Sequence, residues 1–272
     1  MTSNANPTAT MPFVNGRPPH LPCGPGDLAQ TVLIPGDPDR VAMFADRLED
    51  VQDFGRRREF AAVTGTFNGQ RLSVCSGGIG GPSTEIALVE MAMLGVRNVI
   101  RVGGMSALVP EIPTGSYIVA DRAIGLTGVA RLYAELGYEA IADPILTAGL
   151  LASARDLGHS VRSGTVASTD SYYLGQDRPI PASETSKFQS RKFLEDFKSQ
   201  GAIGVEMETQ VIFSVSQALG LKAACLLGVH GNRATDDWLV DYRSTQNGLL
   251  DIAAQAIAKL TEKMEQDNES IE

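Results

Sequence analysis

Apolar residues fall along this chain in two rhythms. Short runs rich in branched aliphatic residues, Thr31–Ile34, 99–102 and 223–229, have the length and composition of buried strands. Elsewhere, in 41–48, 82–94 and 209–219, apolar residues recur every three or four positions, the period of a helix with one covered face. Taken in order, the pattern predicts a strand at 31–34, a Pro-Gly-Asp-Pro-Asp-Arg turn at 35–40, and a helix carrying Val41, Met43, Phe44, Ala45 and Leu48. Strands at 59–67 and 70–76 meet at Asn68-Gly69, a strong hairpin signal. A helix over 82–94 follows, with Gly95 as its stop, and then the strand that holds Arg101. Extended segments at 117–120, 163–168, 203–206 and 223–229 alternate with helices at 144–157, 193–199, 209–219 and 249–264. Such alternation implies an α/β sandwich whose sheet is covered on both faces, with ligand loops at the carboxyl ends of the strands. Those loops are 36–40, 77–83, 103–106, 169–178, 206–208 and 229–233.

Composition narrows the picture. The 272 residues are 43% hydrophobic, enough for one substantial core, and no linker-like stretch divides them. One domain is expected over 19–272, preceded by a disordered tail over 1–18 rich in Pro, Asn, Thr and Ala. A formal charge of −9, from 23 basic and 32 acidic side chains, disfavours a nucleic-acid surface. Cys23, Cys75 and Cys225 are odd in number, without metal or redox spacing, and read as reduced thiols of a cytoplasmic protein. No apolar run approaches a membrane span, and the N-terminus lacks a signal pattern. Three scattered histidines make a zinc site unexpected.

Chemistry concentrates in the loops. Arg101 lies inside an apolar run, and a buried guanidinium requires an anion, supplied either by a carboxylate of its own chain or by a ligand. Asp37 and Asp39 read as helix caps, but a cap leaves Arg40 unexplained beside a helix N-terminus suited to an oxyanion. The glycine run 77–81 permits close packing or close approach to a ligand. Arg56-Arg57-Arg58-Glu59 reads as a solvated edge, Gln176-Asp177-Arg178 as surface polarity or a reader of a planar amide edge, and Glu206-Met207-Glu208 as acids at the start of a helix.

Together these blocks resemble one family. Pro35 to Arg40, Arg58-Glu59-Phe60, Ser76 to Ser83, Arg101-Val102-Gly103, Gly175 to Arg178, Glu206-Met207-Glu208 and Asn232-Arg233 are similar, in order and in spacing, to the motifs of bacterial uridine phosphorylases. Those enzymes belong to the nucleoside phosphorylase family with trimeric and trimer-of-dimers subunits. The resemblance covers about residues 20 to 265. It implies an α/β/α sandwich with a central mixed β-sheet, a homo-oligomer with a dimer as its minimal site and a hexamer as its full form, and reversible phosphorolysis of a pyrimidine nucleoside. Inorganic phosphate is then the co-substrate, with no organic cofactor. By the same resemblance Arg40, Arg101, Gly36 and Gly104 stand at the phosphate, with Arg58 reaching it from a neighbouring subunit. Glu206, Met207 and Glu208 stand at the ribose, with His20 of the neighbour at the 5′-hydroxyl. Tyr172, Gln176, Arg178, Val229, His230 and Gly231 stand at the base, and Glu59, Ile79 and Ser83 match positions that hold a monovalent cation such as K+ at a dimer interface. Arg101, Arg178 and Glu208 are the catalytic candidates: a cationic donor at the departing base stabilises the transition state more than the ground state.

The chain departs from that pattern in two places. Gly104 stands where relatives carry a threonine whose hydroxyl contacts phosphate and sugar, and Met105 replaces another small polar residue. His230 and Gly231 replace aliphatic residues of the base pocket, adding polarity and room. Gly231-Asn232-Arg233 lacks the aspartate that purine-type relatives place after this strand, which favours a pyrimidine. The alternatives are a purine or broad-specificity phosphorylase and a nucleoside-binding protein with impaired catalysis. Residues 235–242, with Trp238, read as a lid or a subunit contact.

Overall fold

The computed structural model describes residues 7–181 and 192–269, so the first six residues of the expected tail lie outside it. Residues 7–17 are mostly exposed and include an isolated bridge between Val14 and Arg17. The first strand, β1 (Thr31–Ile34), leads through the proline-glycine turn into α1 (Pro38–Ala45). Asp37 caps that helix, accepting from the Asp39 backbone N–H at 2.9 Å, and Pro38 occupies its first turn, where a missing N–H costs nothing. An antiparallel meander follows: β2 (Glu49–Arg57), β3 (Phe60–Phe67) and β4 (Gln70–Cys75), with the Asn68-Gly69 turn where the hairpin signal predicts it. Then come α2 (Gly81–Met93), β5 (Asn98–Ala107), β6 (Tyr117–Leu126), α3 (Gly128–Glu135), α4 (Pro144–Asp156) and β7 (Val161–Thr169). The chain closes with α5 (Phe193–Ser199), β8 (Gly204–Glu206), α6 (Thr209–Leu219), β9 (Lys222–Asn232), β10 (Asp237–Trp238) and α7 (Arg243–Glu269).

The expected α/β/α sandwich with a central mixed sheet is what forms. The strands run in the order β10-β9-β6-β7-β8-β5-β1-β4-β3-β2, with β9 also paired to β5. Strand alternation splits the core into two layers. Val32, Ile34, Val99, Cys225 and Leu227 face α2, α3 and α6, while Leu33, Ile100, Val102, Ala224 and Leu226 face α1, α4 and α7. The three cysteines are buried and free.

Two features of the sheet position the site. Pairings among β5, β9, β6, β7 and β8 return to β5, so this half of the sheet curls on itself instead of remaining open. Along one edge of β5, β1 stops at Ile34 opposite Arg101, and pairing with the antiparallel β8 resumes only at Ser106, opposite Val205. Val102 to Met105 therefore have no strand neighbour on that edge. The loops after β1 and β8, arriving from opposite directions, both turn into this opening. The candidate site consequently lies beside the middle of β5, at a switch point in strand order, where the expected loops after the carboxyl ends of β1 and β8 meet.

Candidate active site

Arg101 finds its anion within its own chain. The guanidinium is buried, forms an ion pair through Nη2 with Glu208, and places Nε 3.1 Å from Glu206 Oε2. That Nε–H is not aligned on the oxygen, so the second contact is coulombic and the buried donor has no aligned acceptor among the described residues. Burial would lower the Arg101 pKa, but Glu208 and Glu206 more than offset it, and the group stays charged.

The two carboxylates have different tasks. Glu206 ends β8 and spends its oxygens on the start of α6, accepting from the backbone N–H groups of Glu208 at 2.8 Å and Thr209 at 3.0 Å, and from Ser168 Oγ at 2.5 Å. Of the expected ribose group, Glu206 is thus committed to holding the helix and Arg101 in place. Glu208 is the member turned into the opening, accepting from the Gly80 N–H at 2.6 Å; its pKa is pushed up by burial, against the pull of Arg101. Met207 between them is half-buried.

Arg40 enters from α1. Its Nη1 donates to Val102 O at 3.3 Å, on the unpaired edge of β5, and to Gln246 Oε1 at 3.1 Å. Burial first, and the Arg101 charge second, push its pKa down to about 10, so it remains a cation at neutral pH. Gly36 packs against the glycine loop: its carbonyl accepts from the Gly78 N–H at 3.1 Å, and a Cβ at Gly36 would meet Gly78 O at 3.0 Å. Gly78 and Gly80 adopt positive φ, so the run 77–81 wraps from Gly36 to Glu208 with backbone, and not side chains, against the site.

A second group gathers in the loop after β7. Gln176 is buried in a 3-10 turn, Leu174–Gln176, and its Oε1 accepts from Arg178 Nη1, which also donates to Tyr172 O at 2.9 Å. The Arg178 guanidinium lies 3.8 Å over the Tyr172 ring, and burial lowers its pKa, with Arg233 adding to the effect. Arg233, just past β9, fixes the loop by donating to Gln176 O at 2.8 Å. Asn232 turns inward instead, donating to Val109 O and Ile112 O.

A third group lies against the glycine loop, where a Cβ at Gly78 would meet Ser83 Cβ at 2.7 Å and Glu59 Cγ at 2.8 Å. His20 Nδ1 is 2.6 Å from Glu90 Oε1, and its ring meets Phe60 edge-on. Glu59 accepts from Ser83 Oγ at 2.7 Å, a bond that lowers its pKa, while Arg58 and Ile79 are exposed. Within one chain, neither His20 nor Arg58 bonds any residue of the Arg101 group.

Several expectations at the departures change. Met105 is a core residue packed onto Gly204, and a Cβ at Gly204 would fall 1.7 Å from its Cε. Val229 is fully buried, with its backbone bonded to Gly115 and Ser116, so its side chain offers no accessible surface to a base. Gly231 adds no room: a Cβ there would meet Ser106 Oγ and Trp238 Cε3, both at 3.1 Å, because β10 folds back over β9. Residues 235–242 therefore cover the edge of β9, with Leu239 N donating to His230 O at 2.8 Å and Tyr242 stacked on the His230 ring. The sequence reading missed Gln246, which joins Arg40 to His230, as well as Ser168 and Tyr242. A signal for Gln246 existed, since it precedes Leu249, Leu250 and Ala253 on the apolar stripe of α7 and is itself buried.

Comparison with known proteins agrees with this architecture. Residues 30–264 match the family described as the phosphorylase superfamily. The chain belongs to that superfamily. It is 38% identical to a uridine phosphorylase of Thermococcus kodakarensis over 219 residues, 80% of this chain and 79% of that protein. It is 33% identical to the uridine phosphorylase of Escherichia coli over 80% of this chain and 87% of that one. A guanosine phosphorylase of Halorubrum lacusprofundi is 30% identical over 79% of this chain and 83% of its own length.

Proposed function

We propose that this protein catalyses the reversible phosphorolysis of uridine, or of a related pyrimidine nucleoside, giving the free base and ribose or deoxyribose 1-phosphate. The observation that carries the reading is the opening on β5, where Arg40 and Arg101 converge beside the Glu208 carboxylate. Two arginines and the Gly36 backbone suit a phosphate dianion, and holding it under the sugar makes the attack a positioned one. Glu208 then accepts from the ribose 2′ and 3′ hydroxyls, with Met207 against the sugar. Gln176 and Arg178 hold the carbonyl and imide edge of the base beside Tyr172, and Arg178 stabilises charge growing on the departing ring. Neither carboxylate needs to act as a nucleophile.

The pyrimidine is favoured over a purine because the end of β9 and the residue after it present Gly231, Asn232 and Arg233, of which Asn232 points inward and Arg233 holds the Gln176 loop. His20 and Arg58 complete the site from a neighbouring subunit in a dimer-based hexamer of the cytoplasm. The oxygen donors of Glu59 and Ser83, already 2.7 Å apart, and the backbone of Ile79 fit a hard monovalent cation at that interface.

The test is chromatography of free base after incubation with uridine, thymidine, inosine and adenosine, with and without phosphate. Phosphate-dependent release of uracil is the expected result. Preferred release of a purine base would move the assignment to the guanosine and purine relatives, and release without phosphate would make the protein a hydrolase.

A further inference from the structure

The imidazole of His230 occupies a place prepared for it. Met105 pairs with Val229 and Ser106 with Gly231, so His230 is the extra residue of a bulge in β9, a device that re-aims a side chain. Its ring lies over Gly104 and Gly228, which face one another across the ladder. A Cβ at Gly104 would stand 2.4 Å from His230 Nδ1, and one at Gly228 would stand 3.5 Å from Nε2. Tyr242 stacks on the ring at 4.9 Å with an interplanar angle of 26°.

The hydrogen bonds place the proton. Arg40 can only donate, so the Gln246 oxygen faces Arg40 and the Gln246 amide nitrogen faces His230 Nε2, at 2.9 Å. Nε2 is therefore the acceptor, and Nδ1 carries the hydrogen. That Nδ1–H has no partner among the described residues, and His230 and Gly104 are each partly exposed while Gly103, Met105, Val229 and Gly231 are buried. Burial, with Arg40 adding to it, pushes the ring's pKa down to about 4, so it remains a neutral donor at physiological pH.

We propose that His230 is a substrate-contacting residue, donating from Nδ1 to an oxygen of the phosphate held by Arg40 and Arg101, and that Gly104 is glycine to make room for its ring. A neutral donor suits an anion already held by two arginines, because it adds a hydrogen bond without a third buried positive charge. The inference rests on the phosphorolysis reading above.

Steady-state kinetics with phosphate and uridine varied separately test it. His230→Ala and His230→Phe should each raise the KM for phosphate about tenfold while leaving the uridine KM within about twofold. The phenylalanine variant keeps the ring and its stacking on Tyr242 but lacks the donor, and it reads the contact if the alanine variant is unstable. His230→Asn, which restores an N–H near Nδ1, should recover most of the lost phosphate affinity. Gly104→Ala alone should be worse than either, since its Cβ displaces the ring, yet Gly104→Ala combined with His230→Ala should be no worse than His230→Ala. An unchanged phosphate KM in His230→Phe, a defect confined to uridine, or additive effects at 104 and 230 would overturn the proposal. A wild-type protein without phosphate-dependent base release overturns the phosphorolysis reading, and this inference falls with it; an active wild type isolates the failure to His230.

Discussion

Arg178 is the side chain whose environment best matches a transition-state role. It is half-buried, its bond to Gln176 and its stacking on Tyr172 fix its position, and the neighbouring Arg233 is spent on the loop backbone. Arg178→Ala should lower kcat/KM for the nucleoside by about 10²- to 10³-fold, the usual cost of removing a donor aimed at developing charge. Because the half-buried guanidinium belongs to a loop outside the sheet core, the midpoint of thermal unfolding should move little, and comparing kinetics with a melting curve separates the two effects. Arg40 and Arg101 differ from it in this respect. Both are tied into the framework, Arg40 through Val102 O and Gln246 and Arg101 through its two carboxylates, so changes there should lower stability together with any proposed activity. Arg101 announced its need for a partner in the sequence, since a charged group inside an apolar run demands one, whereas Arg40, Arg178 and Glu208 stood out only through the resemblance of their blocks to a known family. Which partner each one takes was not legible: Arg101 could have met a ligand first, and it meets Glu208.

Glu206 shows how one residue ties two elements together. It serves as an N-terminal anion for α6 and as the inner counter-charge to Arg101, and Ser168 at the end of β7 bonds to it in turn. Glu206→Ala should destabilise the protein by about 3–5 kcal/mol, because it leaves buried donors and half of a buried charge group uncompensated. Denaturant unfolding would measure this, and a loss below about 1 kcal/mol would show that α6 is held by packing alone. Strands and helices with strong periodicity, β1, α5, α6 and the Asn68-Gly69 hairpin, were legible from the pattern. The edge strand β2, Glu49–Arg57, was not, since eight of its nine residues are exposed and its pairing with β3 shifts register twice. The short helix α3 escaped for a related reason, since Ala130 is its one buried residue, and the first turns of α7 for another: their buried face, Thr245 and Gln246, is polar.

For the molecule as a whole, the three clusters make different demands. The Arg101 and Arg178 groups assemble within a single chain, whereas His20, Arg58 and Glu59 form a separate group around Glu90 and Ser83. If the latter complete a neighbouring site, Arg58→Ala and Glu208→Ala proteins, each nearly inactive alone, should regain activity when refolded together, because mixed assemblies contain one intact site. Failure to complement, with both variants folded and associated, would show that each chain works by itself. No helix among the described residues is long and apolar enough to cross a membrane.

The order of residues along the chain was sufficient to establish the alternating α/β class, the two-faced burial of the sheet and the inventory of charged groups for a site. The first two follow from local period, which acts over a few neighbouring positions, while the third rests on the cost of burying Arg101 and on the resemblance of the charged blocks to a known family. Where β1 stops and β8 begins along β5, the one-residue bulge that turns His230 over Gly104, and the loss of space at Gly231 under Trp238 were set only in the folded molecule. Each depends on register between strands far apart in sequence, and a shift of one residue would point every one of those side chains to the other face.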